Sequence, residues 1–476
     1  MLGYILLASF ADRLQSDVFL KRKVDTQLDP FSMKCVKLYE PCNTTAFIWS
    51  LPAEILVLIV ALLGARDMRC VAQVCSLLRE IAGPLFFSNR NFPTSPKDLF
   101  HIRVDSPSFD ILSTWIRMDA FRPPRMMLCW LNPDLRASQL SAFLHFLQSV
   151  PHKSIQYITL FWNFDILASP ILPQILTFLE NIRASGCEEL TCMGFYHFVG
   201  SSGVTRLTRM HGHMGVNHLK AFEASSGVLF SPEFFPFTIQ TICSSNLEKL
   251  RLSYIKLSSA HWEKLMRYLT ILALVELRVD ADCAPSTLIR FLARHPAIHT
   301  LCIVPRPCGT WRTNRITARL TLPISKLDGP LSHILPVLRS LRTLPTLTCL
   351  ALSLQAHDAS PDYLSSVLQC VDRCESVEYL FISLPSQIHS RSAMIWPGTH
   401  SAVRVKHLAF DSSDIVRTSL PFAEDTLALS AQWIQAFPDV KRVSMRGYSA
   451  LAAGDLVDIV RKVVAADVEL SVTLHN

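Results

Sequence analysis

One apolar pattern, h-x-x-h-x-h with h an apolar residue, returns ten times between residues 155 and 445. It reads Ile155-x-x-Ile158-x-Leu160, Cys187-x-x-Leu190-x-Cys192, Leu219-x-x-Phe222-x-Ala224, Leu247-x-x-Leu250-x-Leu252 and Leu274-x-x-Leu277-x-Val279. It continues as Ile298-x-x-Leu301-x-Ile303, Leu347-x-x-Leu350-x-Leu352, Val377-x-x-Leu380-x-Ile382, Val405-x-x-Leu408-x-Phe410 and Val440-x-x-Val443-x-Met445. The closing h-x-h has the period of a strand, whose side chains point alternately to two faces. Copies begin 24 to 35 residues apart, except for one interval of 49 after Ile298. An additional strand is expected there at Thr317-x-x-Leu320-x-Leu322. Met126 to Trp130 reads as a less regular leading copy, and Val468 to Val472 alternates like a last strand.

Helical patterns fill the intervals: Ser259 to Leu269, Pro285 to Ala293, Leu331 to Leu341, Ser360 to Cys370 and Thr426 to Phe437. Several open on Ser or Pro, as helix starts prefer. A unit of one strand and one helix leaves both apolar faces uncovered, so it must stack on its neighbours. Such a unit resembles a leucine-rich repeat, although the Asn that usually follows the last apolar position is mostly missing. The expected fold class is α/β: an irregular leucine-rich-repeat-like solenoid, with parallel strands on its inner face and helices outside. A doubly wound α/β enzyme also alternates strand and helix. That fold calls for a glycine-rich turn after a strand. The chain has 15 glycines and neither G-x-G-x-x-G nor G-x-x-x-x-G-K-S/T.

Residues 51–82, LPAEILVLIVALLGARDMRCVAQVCSLLREIA, form a second feature. Pro52 suits a first helical turn, where its missing N–H costs nothing. Ile55, Leu56, Ile59 and Leu63 recur at helical spacing. Gly64 is expected to end this helix and Asp67 to cap a second one carrying Met68, Val71, Val74 and Cys75. A third helix through Leu78, Ile81 and Ala82 should stop at Gly83-Pro84. Three helices this short bury little core alone and need a partner surface.

This stretch resembles the F-box, the adaptor-binding module of cullin-type ubiquitin ligases. Leu51, Pro52, Glu54, Ile55, Leu56, Ile59, Leu63, Asp67, Met68, Val71, Val74, Cys75 and Arg79 fill the family pattern, and Leu78 stands where Trp is commonest. The whole chain is similar to the large F-box families of basidiomycete fungi. The resemblance implies adaptor contacts at Leu51, Pro52, Glu54, Ile55, Leu56, Ile59, Leu63, Val71, Val74 and Cys75. Through the Skp-type adaptor it implies a cullin and a RING subunit, and repeats that hold a protein substrate for ubiquitin transfer. A scaffold that binds the adaptor without forming a ligase is the second reading. The expected division is a disordered tail over 1–46, the F-box over 47–90, a linker or capping region over 91–125 and the solenoid over 126–476.

No catalytic motif accompanies these features: neither a G-x-S-x-G elbow, H-E-x-x-H nor a kinase set occurs. The chain is therefore expected to act as a binding protein, without enzymatic activity and without cofactors. His211-Gly212-His213 with His218 has no cysteine or carboxylate at ligand spacing, so no metal site is expected. Cys370 and Cys374, four apart on one helix face, are read as structural thiols, and Asp280 and Asp282 as caps of the next helix or turn.

A net charge of +7 over 476 residues, with Lys21-Arg22-Lys23 as the densest basic run, gives no ground for expecting nucleic acid. The 14 cysteines lack a CxxC pair or a small-domain framework, which fits reduced, buried thiols and a cytoplasmic or nuclear location. The sequon at Asn43 is then fortuitous. The apolar run at the N-terminus, MLGYILLASF, is short for a membrane span and lacks a basic segment before it, so no membrane association is expected. What the repeats offer is the sheet face opposite their apolar positions. Tyr157, Thr159, Phe161, Glu189, Thr191, Met193, Ser253, Asp280, Ser383, Asp411, Arg442 and Arg446 are read onto that face. Lys249, Arg251, Glu276, Arg278, Tyr379, Phe381 and His407 are its candidate substrate contacts, since aromatic and Arg side chains dominate protein recognition.

Overall fold

The computed structural model describes residues 51–88, 100–104, 125–194, 218–244, 246–305, 320–341, 346–354, 361–372, 376–383, 405–411, 433–434, 437, 439–448, 461 and 468–474. The expected tail over 1–46 lies outside them. The chain divides into two compact units, Met1–Thr94 and Ser95–Asn476.

In the first unit, among the described residues, three helices follow one another: α1 (Ala53–Ala61), α2 (Ala65–Val71) and α3 (Ser76–Ser88). Leu56 and Val60 of α1, Met68 of α2, Ala72 just beyond it, and Leu78, Ala82 and Phe86 of α3 make the buried centre. Arg79 Nε donates to the Ala72 carbonyl at 3.4 Å, tying α3 to the end of α2. Three details depart from expectation. Gly64 lies in extended backbone and opens α2, while α1 ends at Leu62. Asp67 sits within the first turn of α2, where its charge favours the N-terminal dipole, and is not the capping residue. Gly83-Pro84 does not stop α3. The N–H that Pro84 lacks falls on the exposed side, and burial of Phe86 holds the following turn in place.

The second unit is one open sheet of fourteen parallel strands in chain order, consistent with a solenoid. The strands are β1 (Phe100–Val104), β2 (Met126–Leu131), β3 (Tyr157–Trp162), β4 (Glu189–Gly194), β5 (Ala221–Ser225), β6 (Lys249–Leu252) and β7 (Glu276–Asp280). Then come β8 (Thr300–Val304), β9 (Lys326–Pro330), β10 (Cys349–Ser353), β11 (Tyr379–Ser383), β12 (His407–Asp411), β13 (Arg442–Tyr448) and β14 (Glu469–Leu474). Between them lie α4 (Ala137–Ser149), α5 (Leu172–Ala184), α6 (Phe235–Ser244), α7 (Ser259–Tyr268), α8 (Pro285–Leu292), α9 (Leu331–Ser340) and α10 (Pro361–Val371). A 3-10 turn over Gly227–Phe230 precedes α6. All ten apolar triplets are buried, as are Phe143, Phe178, Trp262 and Leu288 from the helices. The core therefore lies between helices and sheet.

Register passes from unit to unit by a repeated contact. The Glu248 carbonyl accepts N–H groups from both Val275 and Glu276; Val275 does the same for His299 and Thr300, and His299 for Ser325 and Lys326. This series fixes the strand inside the 49-residue interval. It is β9, carried by Ile324-x-x-Leu327-x-Gly329, and not the expected Thr317-x-x-Leu320-x-Leu322. Leu320 instead forms an isolated bridge to Leu341. Gly329 hid the strand because it occupies the last apolar position. It has φ +155°, and a Cβ there would approach Ile303 Cβ to 2.8 Å, so only glycine fits. A further strand, β1, comes from residues 91–125, expected as a linker or capping region.

Two histidines are sealed into this core. His295 Nε2 accepts from Ile271 N at 2.9 Å, and the ring stacks on Phe291 with centroids 3.9 Å apart. His333 Nε2 lies 3.1 Å from the Cys283 carbonyl, which can only accept, so this nitrogen carries the proton. Burial pushes the His333 pKa down to about 4 against small upward contributions from backbone carbonyls. Burial lowers that of His295 as well. Between pH 6.5 and about 4 the unfolded chain binds a proton at residue 333 that the folded chain refuses. Stability should thus fall as pH drops through this window, by up to about 3 kcal/mol from His333, and level off below it. Urea midpoints at a series of pH values check this. In His333→Gln the slope between pH 6.5 and 4 should be shallower than in the parent chain.

Candidate functional site

Each unit offers one surface. In the helical unit it begins with α1, whose nine residues AEILVLIVA carry one charged side chain, Glu54. Such a helix is apolar all round and ordinarily buried. Only Leu56 and Val60 turn inward, which leaves Ile55, Val57, Leu58, Ile59 and, just beyond the helix, Leu62 exposed. Leu62 is 88% exposed and Leu58 62%. Val74, between α2 and α3, and Leu77, in the first turn of α3, add to the exposed apolar side chains.

The adaptor contacts expected from the sequence fall into three groups here. Pro52, Glu54, Ile55, Ile59 and Val74 are exposed, and Leu51, Leu63, Val71 and Cys75 are half-buried. Leu56, only 1% exposed, belongs to the centre of the module and is not available as a contact. Leu58 and Leu62 were absent from the expected set because a helix apolar on every side has no periodicity to single them out. Leu78, in the place usually held by Trp, is a buried core residue.

In the sheet unit the surface is the face opposite the apolar triplets. Across it the register aligns Glu223, Arg251, Arg278, Cys302 and Asp328 in one row, and Lys249, Glu276, Thr300 and Lys326 in the next. Arg251 Nε donates to Glu276 Oε1 at 2.7 Å and its Nη1 to Glu223 Oε2 at 3.4 Å. The hydrogen bond to Glu276 is the main cause that raises the pKa of Arg251. Arg251 and Glu276 thus satisfy each other. Arg278, two residues along β7, has its Nε buried without a hydrogen-bond partner among the described residues. Asp328 accepts from the Cys302 thiol at 3.4 Å, and burial raises its pKa, opposed by Lys326 and Arg278. Cys302 itself is pushed up to about 12, chiefly by burial.

Further along, Tyr379, 49% exposed, lies with its ring 5.4 Å from that of His407. His407 Nε2 is 2.8 Å from Ser444 Oγ, and partial burial together with Arg442 and Arg446 holds its pKa low. Phe381 is half-buried beside Ala409 in the next row. Four residues read onto this face are buried. Phe161 stacks on Trp130 with centroids 4.5 Å apart, and Thr191 is covered. Ser253 lies 3.4 Å from Ser225, hydroxyl to hydroxyl. Asp280 does not cap the next helix. Its carboxylate turns back to accept from Tyr254 N at 2.6 Å and Ile255 N at 3.0 Å in the preceding unit.

His211 and His213 lie outside the described residues, as does Cys374. His218 meets His152 edge-on at 5.4 Å, and among the described residues no group of three His, Cys, Asp or Glu could hold a metal ion. The cysteines described are free thiols. Among the described residues no helix is long and apolar enough to cross a membrane.

Residues 48–92 match the F-box-like family, the span that contains the exposed apolar helix. The chain carries an F-box-like domain, which supports an F-box protein and a part in binding a ubiquitin-ligase adaptor. F-box domains generally bind Skp-type adaptors, and proteins that carry them are generally non-catalytic substrate adaptors. No curated protein matches the chain.

Proposed function

We propose that this chain is the substrate-recognition subunit of a Skp–cullin–F-box ubiquitin ligase. The F-box binds the adaptor, and leucine-rich-repeat-like units hold a protein substrate on the open face of their sheet. Cullin and RING subunits join through the adaptor, and the chain contributes proximity and orientation to ubiquitin transfer. The observation that carries this reading is the solvent-facing apolar side of α1 inside the F-box-like match. Exposed apolar patches of this kind on a small helical module are interaction sites.

Co-purification of the full chain with a Skp-type adaptor and a cullin tests the assembly. The double substitution Leu51→Ala and Pro52→Ala should reduce adaptor capture by about tenfold or more while the sheet unit stays folded. Capture unchanged by that pair would remove these two residues from the contact set. Adaptor capture without cullin recruitment would make the protein a scaffold, and polyubiquitination of a captured substrate in a reconstituted reaction would establish the ligase.

A further inference from the structure

On β6–β9 the charges of the open face are unevenly compensated. Glu223 and Glu276 both pair with Arg251. Arg278 stands beside Arg251 in the same row and forms no ion pair among the described residues. Its Nε is enclosed without an acceptor, yet the residue as a whole is only half-buried, so a ligand on the open face can reach it. Asp328, the other carboxylate of the row, lies beyond Cys302 and takes the thiol hydrogen bond. Lys249 on β6 and Lys326 on β9 are exposed and likewise form no ion pair among the described residues. A buried guanidinium nitrogen without an acceptor is costly. An incoming carboxylate offsets the guanidinium charge from the side of the residue that is not buried, and Arg favours planar, two-toothed partners.

We propose that this patch, built from Lys249, Arg278 and Lys326, receives the carboxylates of an extended acidic segment of a protein. The inference rests on the reading of the repeats as a recognition arm, and it names the class of substrate that arm takes. Strands in a sheet are about 4.8 Å apart, so Lys249 and Lys326 are separated by roughly 14 Å. An extended chain covers that span in about four or five residues. Asp or Glu at alternate positions of such a segment would all point toward the sheet.

The test uses the full chain and three labelled peptides, octa-glutamate, octa-glutamine and octa-lysine, with binding followed by fluorescence anisotropy. Octa-glutamate should bind at about 50 mM salt, where surface charges are only partly screened, and the other two should not. Arg278→Gln should weaken octa-glutamate by about tenfold, and so should Lys249→Gln combined with Lys326→Gln. Arg267→Gln, which removes the same charge from the outer helix α7, should change the affinity less than about twofold. The double lysine variant keeps the test sound if Arg278→Gln fails to fold, because both lysines are exposed. Octa-glutamate binding no better than octa-glutamine overturns the proposal, as does equal weakening by Arg278→Gln and Arg267→Gln. Displacement of the peptide by inorganic phosphate at lower concentration than by free glutamate would assign the patch to phosphate and overturn the carboxylate assignment. Adaptor capture is read separately in the same preparations. Loss of peptide binding with capture intact counts against the acidic class alone.

Discussion

Replacing Leu58 and Leu62 together with Ala is expected to weaken binding to a Skp-type adaptor by about 100-fold while leaving the melting temperature of the chain nearly unchanged. Both side chains are largely in solvent, so their loss removes little folded-state packing. At an interface each would fill a dry pocket, and about 1.4 kcal/mol apiece gives the stated factor. Leu56→Ala is the informative contrast. That side chain is buried, and its truncation should cost about 2–5 kcal/mol of stability. A module with so few core residues has little stability in reserve. Leu56→Ala should abolish adaptor binding by unfolding the helices, and far-UV circular dichroism should show it. Calorimetry showing full affinity in the Leu58/Leu62 variant would move the adaptor site off this face.

The second large effect is expected at Asp280. Asp280→Ala should destabilise the sheet unit by about 3–5 kcal/mol in urea, because one buried and one half-buried N–H group lose their carboxylate acceptor at once. The loop they belong to holds Tyr254 and Lys256 at positive φ, 61° and 52°, where residues other than glycine are uncommon. Such a turn persists only when its surroundings over-determine it, and Asp280 supplies that restraint from the next unit. Asp280→Asn keeps one acceptor oxygen and should recover part of the loss. A substitution to Ala that left the urea midpoint unchanged would mean that water replaces the carboxylate at no cost.

The strand–helix alternation was legible because the same three apolar positions recur in unit after unit. Expected starts at Ser259, Pro285 and Leu331 coincide with those of α7, α8 and α9. What escaped was whatever depends on a neighbour across the chain. β9 has glycine where the pattern asks for an apolar residue, and the reason is the approach of Ile303 from the adjacent strand. Asp280 looked like a local cap because its true partners lie some 25 residues back. The exposed apolar surface of the F-box-like domain was legible as a stretch but not residue by residue. On a helix as uniformly apolar as α1, inward and outward are decided by α2 and α3. The sheet face was legible in its alternation, yet the pairing of Arg251 with Glu223 and Glu276, which leaves Arg278 without an ion pair among the described residues, needed the register.

The strictly sequential order of the strands bears on how this protein can change. Each strand meets only the strand before and the strand after it in the chain. Deleting one whole unit therefore breaks two seams and remakes one, and duplicating a unit opens one seam and makes two, while distant units keep their contacts. The entry contact that joins successive units is made by backbone groups, so most side chains can occupy those positions. A lineage of such proteins can lengthen, shorten or re-letter its exposed rows one unit at a time, and recognition can drift without the fold being reinvented.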